Sequence, residues 1–359
     1  MKAIAKTNTE HGVELIDAPM PTVGPGEVLL QVAACGICGS DLHLVEWTEV
    51  GRMRRGRQIE LPRIIGHEPS GVVVEVGDGV TTVKPGDRVA SDSWGGCGQC
   101  YYCRIGKANL CEPRYNIGAL RDGAMAEYVV VPWFNLYKLP SNISLEVGAM
   151  IEPLGVAVHA VERCATLKPG DRVVVLGPGT IGLLIAMVVR ASGGDVSVLG
   201  LAKDAKRLEL AAQMGFRTVV IDEPGGQDRI LDRTDGRGAD IVFDAASAFP
   251  TTIPLVRKGG EVVITGTPGR AVTVDLLEAQ WKELTLTLNI GRVPSSWHRS
   301  INLLSSGTLD IAPLISHRFP LEQVDTAFEL LRRSEAMKIL IEPNPDLLRA
   351  DVVTAGRTA

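Results

Sequence analysis

Arg172-Val173-Val174-Val175-Leu176-Gly177-Pro178-Gly179-Thr180-Ile181-Gly182 is the stretch whose reading decides the architecture of this chain. Four apolar residues, three of them β-branched, run into a glycine turn, and Ile181 to Ala191 continues as an apolar helix. The pattern G-x-G-x-x-G is weak alone, but between a strand and a helix it has a mechanism. Gly177 permits a tight turn, Gly179 lets a pyrophosphate approach the backbone, and Gly182 allows close packing of helix on sheet. The first helical turn, with Thr180 and Ile181, then offers unsatisfied N–H groups to phosphate. The expected ligand is a dinucleotide cofactor.

Working outward toward the C-terminus, Asp195 to Leu199 reads as a second strand and Ala205 to Met214 as a helix. Ile241-Val242-Phe243 and Glu261 to Ile264 follow as strands. Strands alternating with helices predict a doubly wound parallel sheet covered on both faces. The acid that binds a ribose 2′-hydroxyl belongs about 20 residues after the glycines. That position is near Gly200, which has no acid. Asp204 lies just beyond and would favour NAD. Lys203 or Arg207 would instead meet a 2′-phosphate and favour NADP. The residues leave both cofactors open.

Outward in the other direction the texture is β. Val28 to Val32, Gly71 to Val76 and Ala126 to Val131 read as short strands among dense Gly, Pro and Asp turns, a barrel or sandwich pattern. After about residue 290, Trp297 to Ser305 and Val324 to Arg332 read as helices and Lys338 to Ile341 as a closing strand. The tail beyond Pro345 has no partner in this pattern and is expected to be mobile.

A chain of 359 residues exceeds what one core usually serves, so two domains are expected. The net charge of −5 argues against a nucleic-acid partner. The one basic run, Arg52 to Arg57, is broken by Gly56 and reads as a solvated loop. The N-terminus lacks a signal-length apolar core, and no uncharged apolar run reaches the roughly 18 residues of a membrane helix. The expectation is a cytoplasmic protein without membrane contact, in a compartment where structural disulfides are rare.

That matters for the seven cysteines. Cys97-x2-Cys100-x2-Cys103-x7-Cys111 packs four thiolates into fifteen residues. Four protein ligands close a tetrahedron around zinc and leave no open position, the signature of a structural site. The x7 gap does not fit a ferredoxin cluster. A second donor set is dispersed: Cys38, His67 and Glu152. A thiolate, an imidazole and a carboxylate offset a dication and leave a fourth position for water or substrate, as a Lewis-acid site requires. Lone cysteines and histidines are more often packed core residues, and Cys35, Cys164 and His159 are read that way.

Gly36-Ile37-Cys38-Gly39-Ser40-Asp41, Gly66-His67-Glu68, the four-cysteine loop, Glu152-Pro153-Leu154 and the glycines at 177–182 together resemble the zinc-containing medium-chain dehydrogenases. The resemblance runs from the first residues to about Pro343. It implies a GroES-like catalytic domain over 1–155, completed by 293–345, a Rossmann domain over 156–292, and a tail over 346–359. It implies two zinc ions per chain, a small-molecule alcohol substrate, and assembly as a homodimer or homotetramer. Glu152-Pro153-Leu154 is similar to the polyol and threonine dehydrogenase branch. Asp41-Leu42-His43, Glu46-Trp47 and Asn289-Ile290-Gly291-Arg292 are similar to L-threonine 3-dehydrogenases, which usually carry threonine where Ser40 stands. The reading is a polyol or other small polar secondary alcohol, with L-threonine as the rival substrate. A rival of another class is a zinc- and nucleotide-binding protein without catalysis.

The mechanism this implies places zinc on Cys38, His67 and Glu152. Glu68 is an exchanging ligand or a tuning residue, and Ser40 is the proton acceptor at the substrate hydroxyl. His43 is the exit to solvent, being the side chain whose ordinary pKa lies nearest neutrality. Asp41 would hold the His67 tautomer, and Arg292 would meet the pyrophosphate or the nicotinamide ribose.

Overall fold

The computed structural model describes residues 1–54, 56–112, 115–163, 167–269 and 271–355. Arg55 of the basic run and Cys164 lie outside the described residues. The chain divides into two compact units: Met1–Glu152 with the segment from Val293 onward, and Pro153–Arg292.

In the first unit the main sheet is built on the strand Glu27–Gly36, whose residues are buried or half-buried along its whole length. Such a strand must be apolar on both faces, and Val28, Leu30, Val32 and Cys35 all enter the core. The order across the sheet is Leu136–Lys138, Arg88–Ser91, Glu68–Val76, Glu27–Gly36, Lys338–Ile341 and Ile315–Phe319. Tyr128–Pro132 also pairs antiparallel with Glu27–Gly36. The register decides where chemistry converges. Gly36 lies opposite Glu68 on one side and Leu340 on the other. The end of the central strand, two residues before Cys38, is therefore clamped between the His67-Glu68 and Lys338 segments. Gly36 leaves the room that the Glu68–Lys338 pair fills: a Cβ there would lie 2.0 Å from Glu68 Oε2 and 2.7 Å from Lys338 Cε and would displace these side chains.

The expectation of a partnerless tail does not hold. Pro345–Ala355 is a helix. Its Asp351 accepts from the Leu145 backbone N–H at 2.7 Å and pairs with Arg88 at 2.7 Å. Just before it, Asn344 donates to the carbonyls of Val32 and Glu127, both at 2.9 Å. The partners come from distant segments, so the local pattern carried no sign of them.

The second unit is a six-stranded, all-parallel sheet. Its order is Arg217–Val220, Asp195–Gly200, Arg172–Leu176, Ala239–Asp244, Val256–Ile264 and Thr285–Leu288. Numbered within the unit this is 3-2-1-4-5-6, the doubly wound dinucleotide topology. Val173 to Leu176 are buried, as a central parallel strand requires. The glycine turn leaves this strand's carboxyl end, beside the point where the strand order reverses, and opens the helix Thr180–Ala191.

Candidate metal and catalytic site

Cys38 stands at the head of the helix Gly39–Val45 in extended conformation. Asp41, one turn in and 2 % exposed, divides its carboxylate between two jobs. Oδ2 accepts the Cys38 backbone N–H at 2.9 Å, and Oδ1 meets His67 Nδ1 at 3.0 Å. One buried acid thus ties two candidate ligands together and directs the other ring nitrogen, Nε2, into the site. Nε2 lies 3.9 Å from Glu152 Oε1, which also accepts from the Ser93 hydroxyl at 3.1 Å. Cys38, His67 and Glu68 each bring a donor atom to within 4.8 Å of the others. Glu68 therefore joins the cluster directly, and Glu152 approaches from the His67 side.

The electrostatics of this cluster favour a cation. Burial pulls the His67 imidazole down, but the Asp41 carboxylate beside it and the Cys38 sulfur lift it well above its ordinary value. Around this ring stand the Asp41, Glu68 and Glu152 carboxylates and the Cys38 sulfur, against the one ammonium of Lys338. Burial raises Glu68, against the pull of the Lys338 ammonium. Lys338, 3 % exposed, pairs with Glu68 Oε2 and donates to the Ile37 carbonyl at 2.9 Å. Sequence reasoning missed Lys338. The signal available was a lysine opening an otherwise apolar strand, Lys338-Ile339-Leu340-Ile341.

Ser40 and His43 lie three residues apart on the same short helix, both half-buried, a spacing that makes them neighbours on its surface. His159 is buried in the helix Ile151–Glu162, and Cys35 is buried in the central strand.

The four-cysteine loop gathers its sulfurs as its spacing requires. Cys97, Cys100, Cys103 and Cys111 bring their Sγ atoms to within 4.8 Å of one another. Cys97 Sγ accepts from the Cys100 N–H at 3.4 Å, and Cys111 Sγ accepts from the Cys97 N–H at 3.3 Å. Backbone N–H groups of Gln99 and Cys100 pull the Cys97 thiol down to about 6, while burial pushes Cys111 up to about 12. Four sulfurs converging on one point fit a tetrahedral divalent ion.

In the second unit Gly177 takes φ +106°, open to glycine alone at low cost. A Cβ at Gly182 would lie 1.8 Å from the Gly177 carbonyl, so that glycine serves packing. A Cβ at Gly179 would meet no protein atom within 4 Å. It would project into open space at the helix N-terminus, where a phosphate fits. Thr180 and Ile181 are half-buried in the first turn. Asp204 turns back on its own loop, with Oδ2 accepting the Leu201 N–H at 3.1 Å and Oδ1 lying 3.9 Å from Arg207. Lys203 is exposed. Arg292 is buried, not on the surface, and its side chain runs along Gly155.

Comparison with known proteins agrees with this geometry. Residues 24–141 match the alcohol dehydrogenase GroES-like domain and residues 180–306 the zinc-binding dehydrogenase domain. The chain is 36% identical over 350 residues to L-threonine 3-dehydrogenase of Bacillus licheniformis, covering 96% of this chain and 99% of the relative. It is 35% identical to D-arabitol-phosphate dehydrogenase of Enterococcus avium (96% and 98% covered) and 34% to sorbitol dehydrogenase of Halalkalibacterium halodurans (96% and 99%). Among solved structures, the Escherichia coli CFT073 alcohol dehydrogenase rspB complexed with NADH superposes with TM-score 0.83 at 30% identity, covering 95% of this chain and 99% of that one. A zinc-binding dehydrogenase of Sinorhizobium meliloti 1021 bound to NADP does so with TM-score 0.82, again at 30% identity and with 95% and 99% covered. No helix among the described residues is long and apolar enough to cross a membrane. The non-catalytic alternative is thereby removed: with a GroES-like domain, a dinucleotide fold and two donor clusters, the chain belongs to the zinc-binding, NAD(P)-dependent medium-chain alcohol dehydrogenase family of enzymes.

Proposed function

We propose that this enzyme oxidises a secondary alcohol in a polyol-like or other small polar substrate, with one catalytic and one structural zinc per chain and NAD or NADP as hydride acceptor. The observation that carries the reading is the convergence of Cys38, His67 and Glu68 within 4.8 Å. Zinc supplies Lewis acidity toward the alcohol oxygen, and the nicotinamide supplies the hydride acceptor. Cys38, His67 and Glu152 would hold the catalytic ion, with Glu68 as an exchanging ligand or tuning acid. Cys97, Cys100, Cys103 and Cys111 would hold the structural one. The Ser40 hydroxyl takes the proton leaving the substrate alcohol and passes its own to His43, which releases it to solvent. Gly177, Gly179, Thr180, Ile181 and Gly182 receive the pyrophosphate, and Arg292 offsets its charge or meets the nicotinamide ribose. Asp204 at the ribose would select NAD, whereas Lys203 or Arg207 would admit NADP.

L-threonine is the second reading, favoured by the likeness to the Bacillus licheniformis enzyme. Two features weigh against it. Ser40 stands where threonine is usual in that branch, and the Glu46 carboxylate is engaged by Arg332 at 3.3 Å, so it is not free to match a substrate ammonium. A panel of polyols, 2,3-diols and L-threonine with saturating NAD and NADP separates the readings. Turnover of threonine alone would defeat the polyol assignment. Metal analysis is expected to give two zinc ions per chain, falling to one in Cys38→Ser with turnover lost. A Cys38→Ser enzyme with full turnover would overturn the catalytic-zinc assignment.

The proposed homodimer or homotetramer would use the open edge of Thr285–Leu288, beside which Trp281 and Leu288 are 75 % and 72 % exposed. Light scattering on Trp281→Lys/Leu288→Lys should give a smaller species than the parent.

A further inference from the structure

His43 has a hydroxyl behind it that the family motifs do not name. The helix Gly39–Val45 ends at Glu46, and Trp47 takes a left-handed backbone with φ 50°, which turns the chain back under the helix. Thr48 arrives there and touches His43 three ways. Its backbone N–H donates to the His43 carbonyl at 3.1 Å. Its Oγ1 lies 3.3 Å from that carbonyl oxygen and 3.3 Å from the ring Nδ1. The same Oγ1 caps the short turn Glu49–Arg52, accepting the Gly51 N–H at 3.1 Å. That turn is pressed against the histidine: a Cβ at Gly51 would lie 1.8 Å from the His43 carbonyl oxygen. Thr48 is thus gripped from both sides.

A hydroxyl has one hydrogen and two lone pairs. The Gly51 N–H occupies one lone pair. The His43 carbonyl can only accept, so the hydroxyl hydrogen belongs to it. The second lone pair then faces Nδ1, which completes the set only if Nδ1 carries a hydrogen. The alternative, the hydroxyl donating to a bare Nδ1, leaves two acceptor oxygens facing each other at 3.3 Å. A neutral imidazole with hydrogen on Nδ1 has a bare Nε2.

We infer that Thr48 is a positioning residue that fixes His43 as the Nδ1–H tautomer and so makes Nε2 the atom that receives the proton. When Nε2 is protonated, the Nδ1–H bond to Thr48 is kept, and the ring returns to the same tautomer on losing the Nε2 proton to solvent. The inference rests on the reading of His43 as the proton exit, and the experiment separates the two.

The zinc-loaded enzyme is labelled with 15N in its imidazoles, and the His43 signals are assigned by their loss in His43→Gln. The parent enzyme should show a hydrogen-bearing Nδ1 and a bare Nε2 at neutral pH. Thr48→Val should mix the tautomers and lower kcat about tenfold, with KM changed less than about twofold, and Thr48→Ser should restore both. A parent spectrum with hydrogen on Nε2 overturns the inference, whether or not any variant folds. So does Thr48→Val with parental tautomer and parental kcat. Full turnover in His43→Gln defeats the proton-exit reading instead, while the tautomer assignment is still decided by the parent spectrum.

Discussion

Asp41 joins the Cys38 backbone to the His67 ring, and an amide at this position would turn its NH2 against one of those two donors. Asp41→Asn should weaken zinc at the Cys38 site by about 10–100-fold, a common cost of losing a group that orients a metal-bound histidine. Competition with a chelator measures this, with the four-cysteine site of the same chain as the internal reference. A second residue-scale prediction concerns His159. Burial, with Arg163 and Arg292 nearby, pushes its pKa from 6.5 down to about 4. The unfolded chain then binds more protons than the folded one between those values. The stabilisation from neutral His159 is full above about pH 6.5 and is lost as pH falls toward 4. In His159→Leu the denaturation midpoint should decline less steeply over that window than in the parent. At this scale the motif residues Cys38, His67, Glu68 and the four loop cysteines were legible, because each sits in a short, distinctive string. Lys338 was not, since a lysine in a strand reads as a solvent-facing residue until its neighbours are known.

The glycine turn and its helix form the element where sequence and structure agree most closely. The two helix-proximal glycines nevertheless have separable roles. Gly182→Ala drives a methyl into the Gly177 carbonyl and should destabilise the enzyme by about 1–3 kcal/mol, measured by denaturant unfolding. Gly179→Ala meets no protein atom, so stability should stay near the parent value. Its methyl would occupy phosphate space, and dinucleotide affinity should fall at least about tenfold, roughly 1.4 kcal/mol. Equal loss of affinity with equal loss of stability in both variants would contradict this division. The elements of the first unit were less legible. The strand Glu68–Val76 begins three residues before the apolar run at Gly71, because Glu68 is drawn into the sheet by its pairing with Gly36.

Across the whole molecule, the first unit is closed by a segment late in the chain. Lys338–Ile341 completes the sheet, and Asp351 satisfies a backbone donor at Leu145, 206 positions away. Asp351→Ala should leave the Leu145 N–H and Arg88 without their carboxylate and cost about 1–3 kcal/mol, lowering the thermal midpoint. Asp351→Asn should recover part of the loss through the amide oxygen. An alanine variant as stable as the parent would mean that the Asp351 carboxylate does not hold the helix Pro345–Ala355 in place. By itself the sequence determined whatever rests on neighbours in the chain. That covers the alternating strands and helices of the dinucleotide unit, the turn at Gly177, and the four sulfurs packed within fifteen residues. Tertiary structure alone decided what meets at the candidate metal cluster of Cys38, His67 and Glu68. Strand register sets Glu68 and Leu340 on either side of Gly36, and from that strand the Lys338 ammonium reaches the Ile37 carbonyl across 301 positions. Register depends on the packing of a whole sheet, and no local run of residues encodes which distant strand lies alongside.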